Sequence, residues 1–238
     1  MSIILIFAIA LVGLLWIFST RVMDAAVQAL SDPGEKIRMR THVPSEPHIR
    51  RFMQALETWT RDHGYEDDLM FDFGLINAEQ GLFCHTWKHQ GEHVYLVFYA
   101  GLGKAFLELT TIYDDKTSVT TTNAAEAHTL PVVPGSFVQT FPGRNLTTLR
   151  KLHLEGCRTL ERRTGLMPRE NSDDNTAELI VKALTRQSGY IKSIPGWRWK
   201  GIWWLIRRKH QMAEKDVGQQ LDWFGVYEPD VPPTDLVQ

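Results

Sequence analysis

Cysteine is scarce: Cys84 and Cys157 are the only two in 238 residues. That excludes a disulfide-stapled scaffold, leaves free thiols as the default, and mildly favours a reducing compartment. Nor does one sign of charge dominate. Lys and Arg number 26 against 28 Asp and Glu, a formal net charge of -2 with a pI near 6.5. The surface as a whole is therefore no electrostatic trap for nucleic acid, and any basic character must be local. Internal repeats are absent. So is a phosphate loop: Gly101-Leu102-Gly103-Lys104 has the wrong glycine spacing, Ala105 follows the lysine, and a strand follows that, which reads as a hairpin turn. Finally, the first twenty residues carry no charged side chain.

Every residue from Ile3 to Phe18 is apolar or Gly, and Arg21 ends the uncharged run. About 20 helical residues cover the hydrocarbon core of a bilayer, so the run predicts one transmembrane helix, with Trp16 suited to the interface. The alternative is a cleaved signal peptide. Against it stand the missing basic residue before the run and the lack of a clear small-residue cleavage site close behind. Arg21, Lys36, Arg38 and Arg40 all follow the run, which predicts an external N-terminus and a cytoplasmic domain at the inner cell membrane. The expected layout is an anchor at 1–20, a juxtamembrane helix and linker at 21–44, a domain at 45–225 and a Pro-rich acidic tail at 226–238.

The composition of the whole chain, 43% hydrophobic and 23% charged, is that of a folded protein. Ser45 and Pro47 open a predicted helix with Ile49, Phe52, Met53, Leu56 and Trp59 on one stripe, ending at Gly64. Runs rich in aromatic and β-branched residues then predict strands at 69–76, 81–88, 94–100, 106–113 and 117–122. Short connections imply antiparallel pairing, the apolar run 94–99 suits the sheet centre, and the Thr-rich run 117–122 suits an edge. Pro and Gly between 130 and 143 read as a turn-rich connection. Asn145 to Gly165 and Ser172 to Gly189 read as helices. The predicted class is α+β: a transmembrane helix, then one domain with an antiparallel sheet of about five strands packed by helices.

Three signals bear on chemistry. His85, His89 and His93 recur every four residues around a predicted hairpin, where converging neutral imidazoles could bind zinc and activate a water, as in a metal-dependent hydrolase. No carboxylate completes the set, and histidines at a hairpin tip are the plainer account. His153 and Cys157, four apart on a predicted helix, have the spacing of a nucleophile pair, but no third group lies in sequence reach and packing is the plainer account. The third signal is compositional: Trp197, Trp199, Trp203 and Trp204 lie among Arg198, Lys200, Arg207, Arg208 and Lys209. Trp and basic residues together suit a lipid headgroup layer or a protein partner; core packing is the other account, since 202–206 gives no clean amphipathic face and Trp197 to Lys200 alternates as a strand would, and nucleic acid is disfavoured. No cofactor is implied. The expected function is a membrane-anchored, non-enzymatic accessory or scaffolding subunit with protein partners, the alternatives being the His-cluster hydrolase and a lipid-surface binding module.

Overall fold

In the computed structural model, the described residues are 20–28, 30–74, 81–101, 103–114, 116–213 and 215–224. Seven strands follow one another across a single sheet in chain order: β1 Ile37–Met39, β2 Glu66–Gly74, β3 Gly81–His89, β4 Val94–Gly101, β5 Lys104–Ile112, β6 Ser118–Thr122 and β7 Ser136–Thr140. All neighbours pair antiparallel except β6 and β7, which run parallel, Ser118 opposite Ser136 through Thr122 opposite Thr140. The connection 123–135 is long enough for the crossover that a parallel pair needs.

Two helices cover what we term the first face of the sheet. The helix α2, Pro47–Asp62, turns Ile49, Met53 and Leu56 onto Phe83, Trp87, Leu96, Phe98, Leu107 and Leu109. The helix α3, Leu146–Thr164, adds Leu146 and Leu149 there, then buries Cys157 and Leu160 with Val119, Phe137 and Leu221. Asn145 caps α3 by accepting from the Thr148 amide, and Gly165 ends it in the left-handed region at φ 75°. The second face is covered by α4, Thr176–Ser193, whose Ala177, Ile180 and Leu184 pack on Phe71, Phe73 and Cys84. Residues 20–28 belong to a helix, α1. Beyond α4 come α5 Trp197–Trp203, a π-helical turn Trp204–Arg208, α6 Lys209–Ala213 and α7 Val217–Phe224.

The expected fold needs correction on several points. The sheet has seven strands and is mixed, because β1 is too short to show alternation and β7 sits between Pro and Gly residues that read as turn. The Thr-rich β6 is not an edge; it lies between β5 and β7. No helix among the described residues is long and apolar enough to cross a membrane. The helices α3 and α4 have the length but alternate apolar with charged positions such as Glu155, Arg158 and Lys182, so they pack on a sheet instead. The apolar run behind the single-pass expectation lies, apart from Thr20, outside the described residues, and α1 buries Met23 and Val27 within the protein. Helix boundaries shift as well: Ser45 does not cap α2, Asn175 rather than Ser172 caps α4, and α4 runs past Gly189 to Ser193. The alternation at Trp197–Lys200, strand-like in sequence, is helical.

Candidate functional site

Side chains alternate across a sheet, so the residues between the Leu positions of β5 point away from the first-face core. Phe106, Glu108, Thr110 and Ile112 therefore lie in line on the second face. The strand register sets their neighbours. Tyr99 pairs with Phe106, Val97 and Thr122 flank Glu108, and Tyr95 and Thr120 flank Thr110. Val138 extends the Thr120 row, while Ser118 and Ser136 continue from Ile112. This surface is the floor of a cavity of about 780 Å3. Its roof is α4 with the segment 123–133, contributing Leu179, Ile180, Ala183, Val132 and Val133. The helix packs on Phe71, Phe73 and Cys84 of β2 and β3, with Tyr99 of β4 beside them, and the cavity lies between it and β4 to β7.

Most polar groups of the floor satisfy one another. The Thr110 and Thr120 hydroxyls are 3.1 Å apart, and Thr122 donates to the Leu107 carbonyl at 2.8 Å. Glu108 is the exception. It is enclosed by protein and cavity, and burial pushes its carboxyl up to about 7, against a Thr110 hydrogen bond that favours the ionised form. No ion pair to it occurs among the described residues. Beside it Tyr99 stacks on Phe106 with centroids 4.7 Å apart, and burial pushes the Tyr99 hydroxyl well above its ordinary range.

At one end the cavity reaches a polar network. Tyr95 donates to Asp174, whose carboxylate also accepts from Arg169 at 2.8 Å. Lys88 reaches the Asp174 carbonyl at 2.5 Å and the Asp68 carboxylate at 3.2 Å, and Asp68 accepts from Thr86 and Thr176. These bonds fasten the start of α4 to β2, β3 and β4. The opposite side of the roof is tied by Arg186 to the Pro134 carbonyl and Gln187 to the Pro131 carbonyl.

The residues singled out in the sequence fall elsewhere. His85 is buried on the first face, stacked on Trp87 at 3.9 Å, with Nε2 bonded to Asp67 at 2.5 Å. His89 accepts from the Glu92 amide at 3.0 Å, and His93 closes the hairpin in the left-handed region at φ 54°. Among the described residues no group of three or more His, Cys, Asp or Glu could hold a metal ion. His153 and Cys157 do meet, at 3.6 Å, but in the core. Both His153 nitrogens are within 3.0 Å of hydroxyls, Thr111 and Thr121, and burial lowers its pKa to about 3 while raising that of the Cys157 thiol. Burial makes His153 a weak base and Cys157 a weak acid, and both ring nitrogens already have partners, so the pair sits as core packing.

Within the Trp-rich segment, Trp204 is core and its indole donates to the His128 carbonyl at 2.9 Å. Trp199 and Trp203 are about half exposed, at 48% and 50%, and Ile206 is 65% exposed. Arg198 stacks on the half-buried Trp197, and Arg207 lies over Trp203 with 5.3 Å to the ring centroid. Nothing is described of the Arg208 and Lys209 side chains, which lie outside the described set.

Sequence reasoning missed Glu108 because a Glu on an alternating strand reads as solvent-facing. The available signal was β4: a central strand apolar on both faces, as in Tyr95 to Tyr99, requires a layer on each side, so its neighbour's polar face is enclosed too. Comparison with protein-family models, curated proteins and solved structures returned no match.

Proposed function

We propose that this domain binds a small, largely apolar molecule in the cavity between α4 and β4 to β7. One observation carries the reading: a space of about 780 Å3 with Leu179, Ile180, Ala183, Val132 and Val133 in its roof, an aromatic pair in its floor, and polar and charged groups among them. That falls within the roughly 300–1,000 Å3 of small-molecule sites.

Titrating the full chain with a neutral naphthylamine dye, whose fluorescence rises on leaving water, tests this. Saturable binding is expected, and Thr120→Trp, which fills the middle of the floor, should weaken it at least about tenfold. Equal binding by that variant would sink the reading.

The accessory-subunit reading has support of its own in Trp199, Trp203 and Ile206, exposed at intervals of four and three residues, with Arg207 over Trp203. If they carry a docking face, purification of the full chain from its source in mild detergent should yield a partner that is lost with Trp203→Ala. Equal recovery of the partner counts against it.

A further inference from the structure

Resting on the cavity reading above, we infer that the ligand is an apolar molecule with a single protonated amine, its nitrogen placed on the Glu108 carboxylate beside the Tyr99 and Phe106 rings.

The argument begins with what surrounds Glu108. On β5 its same-face neighbours are Phe106 and Thr110, and across the strands stand Val97 and Thr122. Thr122 spends its proton on the Leu107 carbonyl, so Thr110 supplies the one side-chain donor. A carboxylate has about four lone-pair positions, and one hydroxyl leaves most of them open toward the cavity. An enclosed carboxyl without a cation is a costly arrangement, and a ligand that brings the cation relieves it.

The other ionisable groups of the cavity are either committed or peripheral. Arg169 is held by Asp174, and Arg186 donates to the Pro134 carbonyl. Lys104 and Lys182 line the cavity from exposed positions on β5 and α4, as do Asp114 and Glu126 of the loops. Beneath the floor the Cys84 thiol is buried and stays protonated, and Asp72, which also raises it, is paired with Arg40 at 2.6 Å. Tyr99 and Phe106, stacked on one another, both line the same pocket, and the face of an aromatic ring attracts an ammonium and repels a carboxylate. A neutral ligand gains from the walls but leaves the carboxyl unpaired; an acidic one meets it as a like charge. Ammonium binding favours the ionised form of Glu108, so binding should strengthen as that carboxyl loses its proton near neutrality.

Displacement of the neutral dye from the full chain by decylamine, decanol and decanoate, three probes alike in chain length, tests the proposal. Decylamine should compete at least about tenfold more tightly than decanol at about pH 8, with decanoate weakest. The affinity for decylamine should rise about tenfold between about pH 6 and about pH 8, and that for decanol should stay level. In Glu108→Gln the amine preference should fall to within about twofold and lose its pH dependence. Dye binding with no amine preference overturns this inference and leaves the cavity reading standing. No saturable dye binding overturns both. A preference that survives in Glu108→Gln would trace to Asp114 or Glu126 at the rim and also overturns it. Should that variant not fold, judged by circular dichroism, the pH series on the unaltered chain decides: a flat amine affinity overturns the proposal.

Discussion

Glu108 shows how one residue's surroundings set its chemistry. Its carboxyl is raised from the ordinary 4.5 to about 7 because burial opposes the charge. The sign for stability follows. Below about pH 4.5 folded and unfolded chains both carry the proton, and no penalty exists. As pH rises to about 7 the unfolded chain ionises while the folded one resists, so stability is lost through that window and the loss levels off above it. Glu108→Gln removes this dependence. Its melting temperature should match the unaltered chain near pH 4.5 and exceed it by roughly 5 °C at pH 8. Calorimetry across that range checks it, and a constant difference would place the carboxyl in water. His153 is the opposite case. It is fully buried, its two nitrogens meet Thr111 and Thr121, and Thr121 is shared with Gln139 at 2.7 Å, so the group is a satisfied core network.

At the scale of elements, α4 decides whether the second face is core or cavity. Its first turn is fixed by Asn175, which accepts from the Ala177 and Glu178 amides at 3.1 and 3.3 Å, and by the Asp68 and Asp174 bonds beside it. Asn175→Ala should cost about 1 kcal/mol, read as a melting temperature lower by roughly 3 °C, and loosen dye binding more than an equally destabilising change in α3. Equal effects from both helices would mean that α4 does not shape the pocket. The helix α3 depends on close approach instead. A Cβ at Gly156 would stand 2.9 Å from Gln139 Nε2 and 3.0 Å from Val217, which is why a glycine lies mid-helix against β7 and α7.

For the molecule as a whole, the two cysteines report on the two layers. Cys84 lies under α4 on the second face and Cys157 is carried by α3 over the first, both buried, and burial raises both thiols. Neither should react with an aromatic disulfide reagent in the folded chain at about pH 8, and both should react together as denaturant unfolds it. Cys84 reacting at lower denaturant than Cys157 would mean that the α4 layer opens on its own, giving a ligand its route of entry.

The amino-acid sequence by itself determined the α+β class, the strands β2 to β6, and helices α2, α3 and α4 to within a few residues. Those features are local: period-two runs, period-3.6 stripes, the Asn145 cap and the Gly165 stop all act over a few residues of chain. It likewise showed β4 to be central, because Val94 to Tyr99 is apolar on both faces. Only tertiary structure decided the rest. The strands β1 and β7 exist because a neighbour supplies their hydrogen bonds, and a three-residue segment or one flanked by Pro and Gly has no period to read. The cavity arises from where α4 stands relative to β4 to β7, and no spacing along the chain encodes that separation. Glu108 became a candidate site for the same reason: whether a strand glutamate faces water or an enclosed pocket depends on a helix almost seventy residues further on.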